Sequence, residues 1–241
     1  EPLVWYLPSG AADLLQEANL FLEEFRKTKR LAKLLERYYG FVKIFDYLNI
    51  RRYLARIDSR LPKYRSLFEA AGQKYGIDWT LLAAQGYQES YWNRLARSPT
   101  GVRGIMMLTL VTARELGVKN RLDPEQSIMG GARYLRKLRG RLPEEIGEPD
   151  RTWFALAAYN VGYGHLMDAR RLARKLGKNP NTWNDLKTVL PLLSQKEHYR
   201  KLKYGYARGE EPVRYVTRIR NFHDLLLRQL AAGEKTEAVG I

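Results

Sequence analysis

Apolar residues recur along this chain at three- and four-residue steps, and that period predicts a protein built mostly of helices. A long helix is expected from about Ala11 to Tyr39, with Leu14, Leu15, Ala18, Leu22 and Phe25 on one stripe and Ala32, Leu35 and Tyr39 resuming it before Gly40. Ahead of it, Leu3 to Leu7 form a short apolar run closed by Pro8, Ser9 and Gly10, which reads as a buried strand. The arginine-rich stretch from Phe41 to Pro62 reads as a helical connector. Beyond Pro62 the helical pattern is almost unbroken. Tyr64, Leu67, Phe68, Ala71 and Tyr75 share a face that ends at Gly76, and Asp78 is the expected N-cap of a helix from Trp79 to about Tyr91. Thr109 caps a short helix that stops at Gly117. Asp123, Pro124 and Gln126 together signal the start of another, with Ile128, Ala132, Leu135 and Leu138 on its apolar side. Further helices are expected from Thr152 to the Asn160–Gly164 stretch, from His165 to Leu176 and from Val213 to Leu230. The segment 177–212, with Pro180, Pro191, Gly205, Gly209 and Pro212, reads as loop, and the end after Ala231 as frayed.

One strand and one helix do not make a domain, so residues 1–50 read as the tail of a larger α/β module. The expected architecture is mainly α: that remnant, a connector over 51–62, a helical domain over 63–231 and a flexible tail over 232–241. There is no internal repeat. The chain starts at Glu1 with no basic-then-apolar leader and reads as a trimmed or processed piece, from which a targeting signal could have been lost.

Composition changes this picture in one respect. The content is 45% hydrophobic and 28% charged, ordinary for a globular protein, but the formal net charge is +16. Residues 1–62 hold 11 basic and 8 acidic side chains, so most of the excess belongs to the remainder. Such a field attracts polyanions: nucleic acid, an anionic membrane surface or a polymer bearing carboxylates. A solvated basic face explains it equally well. The absence of cysteine removes disulfides and thiol chemistry. The three histidines, His165, His198 and His223, lack metal-ligand spacing, so neither metal nor cofactor is expected. There is no phosphate-binding loop, dinucleotide fingerprint or nucleophile elbow.

The stretch that could carry chemistry is Tyr87-Gln88-Glu89-Ser90-Tyr91-Trp92-Asn93, followed by the glycine-bounded loop Ser98-Pro99-Thr100-Gly101-Val102-Arg103-Gly104-Ile105-Met106-Met107-Leu108. Leu82, Gly86 and Glu89 are four and three residues apart, which puts the carboxyl on a small, apolar helix stripe. Desolvation and the negative end of the helix dipole both raise its pKa, as a general acid for glycosidic cleavage requires. The pattern alone favours a surface glutamate that follows a hydrophobic run. Ile105 to Leu108 is likewise open to reading as buried core, and Tyr159-Asn160 as a polar helix end before Gly162.

Glu89-Ser90, then Ser98-Pro-Thr-Gly101 with Gly104-Ile-Met-Met, then Ala158-Tyr159-Asn160 resemble, in order and spacing, the motifs of the lysozyme-like lytic transglycosylases. The likeness covers about residues 63–230 and is close to the branch called membrane-bound lytic transglycosylase F. The resemblance implies a goose-type lysozyme-like catalytic domain, preceded by the end of a periplasmic solute-binding-type regulatory module. It implies that Glu89 is the sole catalytic acid and base, and that Ser98, Met106, Tyr159 and Asn160 line the sugar cleft. Glu211 and Tyr215 would contribute from a late Glu-x-x-x-Tyr-Val element. It further implies a peptidoglycan substrate, no cofactor, no nucleic acid, and a periplasmic location associated with the outer membrane in the full-length protein. The wider family has Gln where Met107 stands, which puts one substrate contact in doubt.

Two carboxylates are the usual equipment of a glycosidase, about 5 Å apart when retaining and roughly 6.5–9.5 Å apart when inverting. The Glu89 segment offers no second acid; the next downstream are Glu115 and Asp123. A lytic transglycosylase needs only one, because the 2-acetamido group and the C6 hydroxyl of the substrate do the rest. A goose-lysozyme-type hydrolase, a basic nucleic-acid-binding helical protein and an inactive wall-binding module are the competing readings.

Overall fold

The computed structural model describes residues 6–8, 10–28 and 47–239, the side chains of 47, 48 and 234–239 excepted. Two compact units are present, 1–47 and 48–241. In the first, helix α1 (Ala12–Lys27) carries the expected stripe, but none of its residues is buried, and Leu14, Leu15, Leu20 and Phe21 are exposed. The strand expected at residues 3–7 lies mostly outside the described residues, as does the continuation of the helix through Tyr39; Tyr6 and Leu7 are not in a strand.

The second unit is helical throughout the described residues. The elements are α2 (Tyr47–Ser59), a short 3-10 turn (Leu61–Lys63), α3 (Arg65–Tyr75), α4 (Trp79–Ser90), α5 (Leu110–Glu115), α6 (Pro124–Arg141), α7 (Asp150–Val161) and α8 (Tyr163–Lys175). They continue with α9 (Trp183–Val189), a 3-10 turn (Leu190–Ser194), α10 (Lys196–Tyr199) and α11 (Glu210–Val239). The described residues form no β-strand, only isolated antiparallel bridges of Arg103 with Arg97 and with Leu108.

Helix α4 is the centre. Nine of its 12 residues are buried, because α3 and α11 both pack on it, and α7 packs in turn on α11. A helix surrounded in this way has no solvent face to give to polar residues, and its Leu82, Ala83 and Ala84 are fully buried. It starts where the sequence indicates: the Asp78 side chain accepts from Thr80 N at 2.8 Å. Asp123 caps α6 in the same manner through Gln126 N, at 2.9 Å. The Gln126 side chain, however, turns to the preceding loop and accepts from Lys119 N and Asn120 N.

Helix α2, expected as a mere connector, contributes to the core. Its Tyr53 is fully buried, its ring 4.5 Å from that of Tyr87 and 4.7 Å from Phe222, and its hydroxyl donates to Phe222 O at 2.8 Å. Trp92 completes this cluster and donates to Ala83 O at 2.8 Å. The end of α4 is thereby pinned from α2, from α11 and from the turn that follows it.

Two expectations are corrected. Residues 177–212 are loop only in part, over 177–182 and 200–209: between these they hold α9, a 3-10 turn and α10, and Trp183, Leu186, Val189, Leu190 and Leu193 are buried there. The last helix starts at Glu210, with Pro212 in its first turn, and runs to Val239.

Close approach rather than flexibility explains the glycine of the loop after α4. Gly104 has φ +84°, and a Cβ there would stand 1.8 Å from the carbonyl oxygen of Arg121. Gly104→Ala is expected to lower stability by roughly 3 kcal/mol or more, since backbone and loop must both shift. Urea unfolding of the variant measures this; an unchanged midpoint would contradict the packing described.

Candidate active site

Glu89 sits in the last turn of α4, with part of its surface open to solvent. The chain then reverses within two residues, Tyr91 and Trp92 both adopting φ +55°, a left-handed conformation that costs non-glycine residues energy. Arg60 of the segment after α2 donates to Tyr91 O at 3.0 Å, and the Arg56 guanidinium lies 5.1 Å over the Tyr91 ring. The reversal is thus held from outside the loop.

Ser90 ties the helix to the loop it precedes. It is buried, and its hydroxyl reaches Ile105 O at 2.9 Å and Gly86 O at 3.1 Å. Gly86 leaves room for this segment: a Cβ there would lie 3.3 Å from both Ile105 and Met106 side-chain atoms. Gly131 on α6 does the same from the other side, where a Cβ would come within 2.6 Å of the Met106 side chain. Ser127 Oγ accepts from Met106 N at 3.1 Å. The apolar run after Gly104 is therefore core, packed under the end of α4.

Tyr215 on α11 donates to Glu89 Oε1 at 2.5 Å and accepts from Gln85 Nε2 at 3.2 Å. Burial pushes the Glu89 carboxyl up to about 8, against the opposing pull of the Tyr215 hydrogen bond. Among the described residues no charged side chain contributes to that shift. Burial, with Glu89 beside them, also raises the phenols of Tyr215 and Tyr159. Tyr159, near the end of α7, donates to Met106 O at 2.8 Å and stacks edge-on with Tyr134. A carboxyl protonated at neutral pH, with one oxygen bonded and part of its surface reachable, is equipped to give a proton and take it back.

The structure brings together four of the expected residues: Glu89, Tyr215, Tyr159 and Met106. The expectation for Met106 needs correction. Its side chain is fully buried against Gly86 and Gly131, so it offers the site a carbonyl held by Tyr159 rather than a cleft wall. Ser98 is tied into its own turn, with Thr100 Oγ1 at 2.8 Å and Val102 N at 3.3 Å. Asn160 is exposed beside Tyr159. Glu211 is exposed at the start of α11 and pairs with Arg208 at 3.3 Å, one turn from Tyr215. Met107, half-buried, sits at φ +45°.

Two residues of the site escaped the sequence reading, Gln85 and Ser90 in its tying role. The signal for Gln85 was present: an amide one turn before the acid on an otherwise apolar helix. Two cavities, about 420 and 250 Å³, flank Gly76 to Asp78 at the opposite end of α4. A helix of this length puts them roughly 16 Å from Glu89, so cavity size does not mark the site.

Comparison with known proteins identifies the fold and the family. The fold is that of the lysozyme-like lytic transglycosylases: the structure superposes on an inactive mutant of the lytic transglycosylase Slt from Pseudomonas aeruginosa with a TM-score of 0.54 at 17% identity, over 88% of this chain and 35% of that one. Residues 66–182 match the family described as "Transglycosylase SLT domain", and that stretch of the chain belongs to the family. It is 54% identical over 227 residues to "Membrane-bound lytic murein transglycosylase F" of Marinobacter nauticus, covering 94% of this chain and 45% of that protein. A relative from Alkalilimnicola ehrlichii, "Membrane-bound lytic murein transglycosylase F 1", is 53% identical over 241 residues, 49% of its length. The chain thus spans about half the length of the curated relatives it matches.

The raised Glu89 pKa fixes the sign of a pH effect. The folded state holds this proton more tightly than the unfolded chain, so its contribution to stability is full below about pH 4.5 and is lost as pH rises towards about 8. In Glu89→Gln that loss disappears. Between about pH 5 and about pH 9 the variant is expected to gain on the wild type by ~2 kcal/mol or more, after discounting for partial exposure. Thermal unfolding of both proteins across that range measures it; parallel curves would contradict the shift.

Proposed function

We propose that this chain contains the catalytic domain of a peptidoglycan lytic transglycosylase, with Glu89 as general acid and then general base. The observation that carries the reading is the Glu89 carboxyl: desolvated, protonated near neutral pH and, among the described residues, hydrogen-bonded to Tyr215 alone. The chemistry follows from that. Glu89 protonates the bridging oxygen of the β-1,4 bond between N-acetylmuramic acid and N-acetylglucosamine, and the C1–O bond breaks. The substrate's 2-acetamido group stabilises the charge at C1. The carboxylate, still accepting from Tyr215, takes the proton of the C6 hydroxyl as that oxygen bonds to C1 and closes a 1,6-anhydro ring. Desolvation favours the acid and the Tyr215 hydrogen bond favours the base, which keeps one group usable in both steps.

Tyr159 fixes the loop through Met106 O, Asn160 presents an amide at the exposed end of α7, and in this reading Ser98 and Glu211 contribute further contacts to the glycan. The basic surface suits peptide stems with free carboxylates, and nucleic acid is not an expected partner. Relatives about twice as long support reading residues 1–50 as the end of a regulatory module of solute-binding type, with residues 63–231 as the catalytic domain. Their description as membrane-bound supports a periplasmic enzyme held at the outer membrane in the full-length protein. Among the described residues no helix is long and apolar enough to cross a membrane.

Digestion of purified sacculi tests the proposal by mass spectrometry of the products. The wild type is expected to release anhydro ends, and Glu89→Gln to lose activity by ~10²- to 10⁴-fold. Reducing ends would make the protein a hydrolase instead. Undiminished lysis by Glu89→Gln would remove Glu89 from the mechanism.

A further inference from the structure

Gln85 is fully buried in α4, one turn before Glu89. Its amide nitrogen donates to Tyr215 Oη at 3.2 Å, whereas its amide oxygen has no hydrogen-bond partner. A leucine would fill this space without leaving an orphaned acceptor, so the amide calls for an explanation other than packing. Tyr215 supplies one. A phenol carries one hydrogen, and the 2.5 Å contact with Glu89 Oε1 takes it. Were the amide reversed, that hydrogen would face two acceptors, one of them Gln85 Oε1, and its direction would be divided between them. With the nitrogen turned inward, Tyr215 has a donor on one side and an acceptor on the other.

We propose that Gln85 is a positioning residue: by donating to Tyr215 it commits the phenol hydrogen to Glu89 Oε1, so that Oε2 is the oxygen that carries the acidic proton and exchanges it with the glycan. This rests on the reading of Glu89 as acid and base. An oxygen that accepts a short hydrogen bond is a poor place for the carboxylic proton, which therefore resides on the other oxygen. The donors are aligned in one direction, Gln85 to Tyr215 to Glu89, and each polarises the next. When the proton leaves Oε2 for the bridging oxygen, the aligned bonds stabilise the carboxylate without any rotation of Tyr215. When Oε2 recovers a proton from the C6 hydroxyl, the alignment is unchanged. Tyr159, the other phenol close to Glu89, gives its hydrogen to Met106 O and so does not compete.

Gln85→Leu tests this, with Gln85→Met of similar length carrying the same test if the leucine variant fails to fold. On a soluble uncrosslinked glycan strand, kcat is expected to fall about threefold with KM unchanged. The basic limb of the pH profile is expected to move up by about half a unit, since a weaker Tyr215 bond stabilises the carboxylate less. In a Tyr215→Phe background the same change is expected to have no further effect, because Gln85 acts only through that hydroxyl. An unmoved limb, or an equal loss of activity with and without the Tyr215 hydroxyl, would overturn the assignment. Carbon-13 NMR titration of the Glu89 carboxyl, with Glu89→Gln identifying the resonance, separates this from the function itself. If the wild type released no anhydro product, the proposed activity would fall. An upward shift of the Glu89 titration in Gln85→Leu would still support the positioning role, and no shift would refute it.

Discussion

The burial of α4 on all sides is the constraint from which the site follows. A helix enclosed by α3 and α11 ends largely inside protein, and its last turn keeps only Gln88 and Glu89 partly open to solvent. Its last turn places Glu89 where water is scarce, which raises the pKa, while α11 crosses close enough for Tyr215 to bond one carboxyl oxygen. The same helix α11 holds the other end of α4, where His223 Nε2 lies 2.9 Å from Thr80 Oγ1 and 3.3 Å from Asp78 Oδ2. The acid is therefore positioned by a helix fastened at both ends rather than by a loop.

Local strain is concentrated around that acid. The described non-glycine residues with left-handed backbone are Tyr91, Trp92 and Met107, the first two just after Glu89 and the third in the loop packed beneath it. Three small residues allow the loop to come so close: Gly86 on α4, Gly104 in the loop and Gly131 on α6. Aromatic packing around Tyr53, Tyr87, Trp92 and Phe222 holds the strained reversal in place. Rigidity here has a chemical use, since a proton donor displaced by an ångström loses much of its effect.

Much of this was legible in the sequence because the signals are local. Asp78, Thr109 and Asp123 mark helix starts through a side chain bonding a backbone N–H two or three residues on, and all three do so. The acid on a small apolar stripe was readable for the same reason, and so was the direction of its pKa shift. Tertiary contacts decided the rest. Prolines and glycines made 177–212 look like loop, yet Leu190 and Leu193 turn inward, and Gly209 packs so tightly on the Leu190 carbonyl that a Cβ would stand 1.6 Å from it. Pro212 looked like a breaker but occupies a first turn, where a missing N–H costs nothing. Met106 reads alike whether it walls a cleft or fills a core, and Gly131, far along the chain, settles which. The Gln85–Tyr215 bond joins residues 130 positions apart, so the amide on an apolar helix is visible locally but its partner is not.

The central claim is that a single carboxyl, Glu89, is protonated at neutral pH. Infrared difference spectroscopy of wild type against Glu89→Gln tests it directly. At about pH 7 the wild type is expected to show the carbonyl stretch of a protonated carboxylic acid, absent from the variant and replaced by carboxylate bands above about pH 9. A spectrum carrying only carboxylate bands at about pH 7 would contradict the account, because a group already ionised has no proton to give.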